Sequence, residues 1–186
     1  MSDLSFMTVR LPLKIGPHER GDMWEDPLAD LIEPEEIAEV TGGGTMLADD
    51  GGIEFCELEI ELADLSKDRL DKIQAAMLTI NAPKNTKFID ADGKVLRTFG
   101  TTAVVGIGLD GAGLPDSAYE GFSPDAFNND VLAALGDGHS YGGSYAGKRY
   151  TYFYYHGPNG DVIRQTLEQF ASDQPICQGA KFEQLA

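Results

Sequence analysis

One order of secondary-structure elements (strand, helix, strand, strand, helix, strand) is predicted twice along this chain of 186 residues. Apolar residues that alternate with polar ones predict the strands, and apolar residues at helical spacing predict the helices. The two copies are offset by 95 residues where Phe55 is compared with Tyr150. Sequence identity between the copies is negligible, so the repeat depends on element order and spacing. The chain is therefore predicted to fold as two similar halves.

Turn and breaker residues bound the predicted elements of the first half. Pro34 interrupts the first helix, and the Asp-Asp-Gly-Gly turn after Ala48 predicts a hairpin. The elements are a strand over 7–15, a helix over 26–40, hairpin strands over 44–48 and 53–62, a helix over 66–81, and a closing segment over 87–99 with a turn at Asp92-Gly93.

The second half repeats this order with its own signals. Ser123-Pro124 is typical of a helix N-cap followed by proline at the first helical position. The elements are a strand over 103–109, a helix after Ser123, a hairpin that pairs 140–146 with 148–156, a helix from about Asn159, and a last strand in AKFEQL.

These elements predict an α+β protein built as a tandem pair of ferredoxin-like βαββαβ repeats, residues 1–100 and 101–186. Each repeat is expected to form an antiparallel four-stranded sheet with its helices on one face. The alternative is one continuous eight-stranded sheet, formed by the two halves edge to edge.

Strand alternation assigns side chains to the two faces of each predicted sheet. In 53–62 the apolar residues Cys56, Leu58, Ile60 and Leu62 belong under the helices, which places Glu57, Glu59 and Glu61 on the outward face. A shift of 95 residues places Tyr150, Tyr152, Tyr154 and His156 on the outward face of the second sheet. Both outward rows are candidate partner-binding residues.

Each row has two interpretations. The carboxylates Glu57, Glu59 and Glu61 form either a docking stripe for a basic partner or a solvated face that is partly paired with Arg10 and Lys14. Tyrosine rows are common in recognition surfaces, but the two halves packed open face to open face would bury this one. Outward glycines on the neighbouring strand predict open space above the sheet. An alternative small-molecule cleft would be lined by Gly106, Gly108, Tyr152, Tyr154 and His156.

Outward aromatic residues on the third strand are similar to those of the RNA-recognition motif, in which they stack on bases. Lys148, Arg149, Tyr150 and Tyr152 resemble part of its signature over about eight residues. The glycines inside that signature are missing, however. The first strand has Val104 and Gly106 where that family has an aromatic residue, and residues 101–186 carry a net charge of −6. We therefore predict no nucleic-acid partner.

No set of residues predicts catalysis, a metal or a cofactor. His18, His139 and His156 lack the spacing of metal ligands, although His139 and His156 fall near opposing ends of one hairpin. The glycine-rich stretches 41–45, 106–113 and 140–144 are not followed directly by a helix, as phosphate-binding loops are. Cys56 and Cys177 share no short motif and are expected to be reduced thiols.

The charge is strongly negative, at −17 from 14 basic and 31 acidic residues. Such a charge repels phosphate backbones and attracts basic proteins. No apolar run is long enough for a membrane span, and the N-terminus lacks the pattern of a signal peptide, so we expect a cytoplasmic protein without membrane contact.

The leading hypothesis is a non-enzymatic acidic binding protein with a basic protein partner. In its sharper form it is an immunity or inhibitor protein that occludes a basic, nuclease-type toxin or enzyme. The alternative is a small-molecule-binding or cofactor-binding protein, or an enzyme, with a site between the two sheets. A third possibility is a protein that uses its outward faces on itself, as a homodimer.

Overall fold

The computed structural model describes residues 4–49 and 51–186. The chain divides into two compact units, Met1–Thr101 and Thr102–Ala186. A five-stranded sheet has the order β2-β3-β1-β4-β5, and a four-stranded sheet has the order β7-β8-β6-β9. The shared four-strand order, with antiparallel neighbours, is that of a ferredoxin-like βαββαβ unit. The tandem ferredoxin-like prediction is confirmed, and the alternative of one continuous eight-stranded sheet is wrong.

The first unit contains five strands and short helical segments between them. Its elements are β1 (Ser5–Leu11), α1 (Pro17–Arg20), a π-helix (Gly21–Glu25), α2 (Asp26–Ile32), β2 (Glu39–Leu47), β3 (Ile53–Leu62), α3 (Lys67–Thr79), β4 (Thr86–Asp90) and β5 (Val95–Phe99). The strand predicted to reach Ile15 ends at Leu11. The closing segment forms two strands around the predicted turn, because Asp90 accepts hydrogen bonds from the backbone of Asp92 and Lys94 and reverses the chain.

Helix α2, which corresponds to the helix predicted over 26–40, ends at Ile32, eight residues before the predicted boundary at Val40. Glu36 has a positive φ of 53°, which is the left-handed conformation that ends a helix. The backbone N–H of Ile37 donates to the carbonyl of Ile32, and that of Glu36 donates to Glu33. This closure frees the chain to enter β2 at Glu39, so the glycines of 42–44 lie inside a strand rather than at its entry.

The core of the first unit lies on one face of its sheet, as the alternation predicts. Met7, Val9 and Leu11 of β1 stand opposite Ile60, Leu58 and Cys56 of β3. All six are buried, and so are Leu70, Ile73 and Met77 of α3. The outward face therefore carries the alternate residues of β1 and β3.

The second unit follows the repeat with one added short helix before α5. Its elements are β6 (Ala103–Asp110), α4 (Asp116–Tyr119), α5 (Pro124–Leu135), β7 (Ser140–Ala146), β8 (Tyr150–Gly157), α6 (Gly160–Ser172), a 3-10 helix (Pro175–Cys177) and β9 (Lys181–Gln184). The Ser123 hydroxyl caps α5 by accepting from Ala126 N at 3.3 Å. Asn159 caps α6 by accepting from Asp161 N and Val162 N.

Strands β6 and β8 and both long helices form the core of the second unit. Its buried apolar residues include Val105 and Ile107 of β6, Phe153 and Tyr155 of β8, Val131 of α5, and Ile163 and Leu167 of α6. Tyr155 satisfies its hydroxyl inside this core by donating to Asn128 Oδ1 at 2.7 Å. Of the helices that the structure describes, none has the length and apolar composition to cross a membrane.

Candidate functional site: the outward faces of the two sheets

The acidic stripe, Glu57, Glu59 and Glu61, lies on the outward face of β3. The residues between them are fully buried on the helix side, because side chains alternate along a strand. Glu59 is exposed, and Glu57 and Glu61 are partly buried. The predicted orientation of all three carboxylates is therefore found.

Glu57 is the one member of the stripe with an ion-pair partner on the neighbouring strand. Arg10 Nε lies 2.7 Å from Glu57 Oε1, and the two residues are direct partners in the β1–β3 register. The Arg10 guanidinium also lies 4.1 Å from the ring centroid of Phe55, on the same face. Lys14, the other predicted partner, lies beyond the end of β1 at Leu11. The charge of Glu57 is thus largely compensated.

Glu61, in contrast to Glu57, faces a residue of like charge on the neighbouring strand. Across the β2–β3 register it stands directly opposite Glu39, while Glu59 stands opposite Gly42. Like charges in directly opposed positions of a sheet repel each other. In the part of the chain that the structure describes, the carboxylates of Glu39, Glu59 and Glu61 have no ion pair. Three uncompensated carboxylates therefore lie together at this end of the face.

Exposed apolar side chains lie on the same face. Phe6 of β1, the direct partner of Glu61, is 53% exposed, whereas Met46 of β2, 46% exposed, stands opposite Phe55 at the other end of the face. Leu4 is also exposed and lines a surface cavity of about 320 Å³ together with Glu39, Glu61 and Arg69. Aromatic residues and methionine are enriched in the centres of protein–protein interfaces. The face thus combines apolar contact area with negative charge.

Glu39 was missed by the sequence analysis. The sequence did contain a signal for it. If the hairpin pairing is continued from the Asp-Asp-Gly-Gly turn towards the strand ends, a residue near 39 falls opposite Glu61. The prediction began β2 at 44 and so left Glu39 in a helix. The register also shifts between Val40 and Gly42, and such a bulge changes which residues stand opposite one another.

The tyrosine row, Tyr150, Tyr152 and Tyr154, lies on the outward face of β8 as predicted. Ring centroids are 6.4 Å apart for Tyr150 and Tyr152 and 6.1 Å apart for Tyr152 and Tyr154. The rings of Tyr152 and Tyr154 are nearly parallel, at 9°. Tyr150 and Tyr152 are partly buried, whereas Tyr154 is fully buried and His156 is 6% exposed. Of the four predicted contact residues, the structure leaves only Tyr150 and Tyr152 accessible.

The expected open space above Gly106 and Gly108 is not found, and this prediction is wrong. Gly106 stands opposite Tyr154, and Gly108 stands opposite Tyr152. A Cβ atom on Gly106 would lie 2.5 Å from the Tyr154 ring, and one on Gly108 would lie 2.6 Å from the Tyr152 ring. The rings therefore occupy the space that the missing side chains leave, so these glycines accommodate the tyrosines.

Tyr154 is fixed at its hydroxyl as well as its ring. The hydroxyl donates to Glu183 Oε1 of β9 at 2.6 Å. Burial, and then the hydrogen bond to that carboxylate, raise the pKa of Tyr154 far above its ordinary value. A phenol of this kind does not release its proton near neutral pH, which argues against a role in proton transfer.

The two histidines of the second hairpin do not share a site. The ring of His156 lies against Gly142, whereas His139 lies against Gly157, beside Ile163 of the core. Within 4–49 and 51–186, no group of three or more His, Cys, Asp or Glu residues has an arrangement that holds a metal ion. Cys56 and Cys177 are free and buried, and burial raises the pKa of the Cys56 thiol to about 12. Neither thiol has the low pKa of a reactive cysteine.

His156 makes the stability of the second unit depend on pH. Burial lowers the pKa of its imidazole to about 4, so the folded chain binds this proton less readily than the unfolded chain. The free energy of unfolding should fall by up to about 3 kcal/mol as the pH drops from 6.5 to 4, and this contribution should level off below pH 4. The measurement is urea denaturation at a series of pH values, followed by tyrosine near-UV circular dichroism. All seven tyrosines lie in this unit.

The histidine contribution is isolated by comparison with His156→Gln, which should lose this part of the pH dependence whatever its overall stability. His18→Gln is the matched control, because the His18 side chain is 91% exposed. An unchanged slope in His156→Gln would show that other groups cause the pH dependence.

No model of a known protein family matches the chain, and no curated protein matches it. Among solved structures, it is similar to a "putative monooxygenase" from Lactobacillus acidophilus NCFM, at 15% identity and a TM-score of 0.32, over 98% of this chain and 93% of that chain. It is also similar to the first two RNA-recognition domains of the yeast poly(U)-binding protein, at 10% identity and a TM-score of 0.24, over 97% of this chain and 99% of that chain. These values carry no inference about activity or ligand.

Proposed function

We propose that the chain is a non-enzymatic binding protein that captures a basic protein through the outward face of its first sheet. The observation that carries this proposal is the direct opposition of Glu39 and Glu61, beside the exposed Glu59. Their mutual repulsion raises the energy of the unbound surface, and a cationic partner would relieve it. The net charge of −17 would add long-range attraction for the same class of partner.

The apolar residues of the face support a protein partner over a simple cation. Phe6 beside Glu61, and Met46 at the other end of the face, are each close to half exposed and offer area that a protein surface would bury. We further propose the inhibitory form, in which the partner is a nuclease-type enzyme. The carboxylates would then contact the enzyme residues that otherwise bind the phosphates of its substrate. Alternate residues of a strand lie about 7 Å apart, so the stripe presents its charges in a regular row.

Reversing the charge of the stripe should abolish capture while leaving the fold intact. Glu59→Lys with Glu61→Lys should weaken the partner's affinity at least about 100-fold in low salt, since opposite charges become like charges. The test is immobilisation of the chain, incubation with native cell extract at low salt, elution by a salt ramp and identification of the released protein. The purified partner is then titrated calorimetrically against each variant.

The matched control is Asp137→Lys with Asp173→Lys, which makes the same change in net charge at exposed positions of the second unit. Its affinity should stay within a few-fold of the native chain. If both double variants lose affinity equally, the net charge and not the stripe determines binding. If a captured enzyme keeps its activity when saturated with the chain, binding stands and the inhibitory form is contradicted.

A further inference from the structure

A cavity of about 290 Å³ in the second unit is separate from both outward rows. It lies among the connection from α4 to α5, the first turns of α5, and the end of α6 with the 3-10 helix that follows. Its lining residues include three aromatic residues, Phe122, Phe127 and Phe170, and the polar residues Glu120, Asp130 and Gln174, and the rest are small or apolar residues of the same segments.

The three rings stand at large angles to one another. The ring centroid of Phe127 lies 5.8 Å from that of Phe122, with an angle of 59° between the ring planes. It lies 5.7 Å from that of Phe170, with an angle of 78°. Phe127 is itself buried and packs on Phe153 of β8 at 5.4 Å, which anchors this side of the cavity in the core. The cavity thus has three phenylalanines that pack on one another among its lining residues. Because the face of an aromatic ring carries negative potential, such a lining favours a cation.

The charged residues that line the cavity are negative, as is the electrostatic potential at the face of an aromatic ring. Glu120 and Asp130 both line it, and no lysine or arginine does. Within the described part of the chain, neither carboxylate has a hydrogen bond or an ion pair. Two free carboxylates beside three aromatic rings attract a positive ligand and repel a negative one.

A metal ion does not fit this lining. Calcium takes six to eight oxygen ligands and magnesium takes six, whereas no group of three or more His, Cys, Asp or Glu residues in the described part of the chain is arranged to hold a metal ion. The volume is close to the lower end of the range for small-molecule pockets, which suits a compact organic ligand. We propose that this cavity is a binding site for a small organic ammonium ion, a quaternary or alkylated amine whose methyl or methylene groups contact the rings and whose charge faces Glu120 and Asp130.

The test compares a cation with its uncharged isostere. Choline and 3,3-dimethylbutan-1-ol have nearly the same shape, and only choline is charged. Each is titrated into the full chain and followed by nuclear magnetic resonance. Choline should bind saturably with a dissociation constant below about 10 mM, and the alcohol should bind at least about 10-fold more weakly. Absence of saturable choline binding up to about 50 mM, or equal binding of both compounds, would overturn the proposal.

Two variants assign the binding to this cavity. Glu120→Gln with Asp130→Asn removes both charges at nearly constant size and should weaken choline about 10-fold or more while leaving the weak binding of the alcohol unchanged. The control, Asp137→Asn with Asp161→Asn, makes the same change in net charge at exposed positions away from this lining and should bind choline as the native chain does. Equal losses in the two variants would show that choline responds only to net charge, which also overturns the site.

The proposal does not depend on the capture of a basic protein. The Glu59→Lys, Glu61→Lys variant changes no residue of this cavity, so it should bind choline normally even where it fails to capture a partner.

Discussion

Gly106→Ala is expected to lower the free energy of unfolding of the second unit by about 3 kcal/mol, a large effect for one methyl group. The new Cβ would lie 2.5 Å from the ring of Tyr154, closer than such atoms approach in folded proteins. Tyr154 is fully buried and tied to Glu183 at its hydroxyl, so its ring cannot turn away without losing that hydrogen bond. The substitution therefore forces either the ring or the β6 backbone to move.

A double-mutant cycle tests this cause directly. Tyr154→Ala alone should cost about 3–5 kcal/mol, the range for removing a large aromatic side chain from a core. In that background Gly106→Ala should cost less than about 1 kcal/mol, because the ring that the new methyl group meets is gone. Near-UV circular dichroism of the tyrosines during urea unfolding gives each value for this unit. Additive losses would mean that Gly106 is needed for its backbone and not for the ring.

The same geometry explains why the sequence left open whether this row is a recognition surface or is buried. A row of tyrosines beside glycines is the pattern of an open face, but it is also the pattern of rings folded over a neighbouring strand. In designed and natural sheets, aromatic residues compensate glycines on an adjacent strand in this way. The pairs Gly106 with Tyr154 and Gly108 with Tyr152 are of the second kind.

Arg20→Met is expected to destabilise the first unit by about 2–3 kcal/mol, because it leaves the partly buried carboxylate of Glu25 without its partner. The Arg20 side chain is 9% exposed, and its Nε lies 2.5 Å from Glu25 Oε1. Its other nitrogen, Nη1, donates to the Thr45 hydroxyl at 2.8 Å. The π-helix Gly21–Glu25 brings Glu25 into reach of the arginine.

Gly43 makes space for this buried pair. A Cβ at that position would lie 2.6 Å from Arg20 Nε and 2.7 Å from Glu25 Oε1. The predicted strand began at residue 44, whereas β2 begins at Glu39, so Gly43 lies within the strand and accommodates an ion pair on the helix side. No short-range sequence signal connects Arg20 with Thr45, because the contact depends on how α1 packs on β2.

The fluorescence of Trp24, the single tryptophan, reports unfolding of the first unit alone. Lys72→Met is the matched control in the same unit, because Lys72 pairs with Asp68 on the exposed surface of α3, and such pairs contribute less than about 1 kcal/mol. Arg20→Met with Glu25→Leu should recover part of the loss, since the unpaired charge is removed. If Arg20→Met costs no more than Lys72→Met, the pair of Arg20 and Glu25 does not stabilise the unit.

The acidic and aromatic surfaces of the chain give separate hypotheses that separate variants address. The face with Glu39, Glu59 and Glu61 is proposed to take a basic protein, and the cavity with Glu120 and Asp130 is proposed to take an organic ammonium ion. The two sets lie in different units of the chain and share no residue.

The sequence alone determined the element order, the repeat and the faces of the strands. These features depend on local periodicity: a side chain on a strand points away from its neighbours in sequence whatever packs above it. The outward position of Glu59 and Tyr152 and the N-cap at Ser123 were predictable for this reason. The end of α2 and the start of β2 were not, since Glu36 adopts a left-handed conformation that its residue type does not favour.

Only the tertiary structure decided which outward residues remain available. The opposition of Glu39 and Glu61, the cover of Gly106 by Tyr154, and the rings around the cavity at Phe127 all join residues from different elements. Such contacts depend on register, bulges and ring orientation, which no local pattern encodes. Periodicity therefore determines the face on which a side chain lies, and packing determines whether that side chain is paired, covered or free to bind.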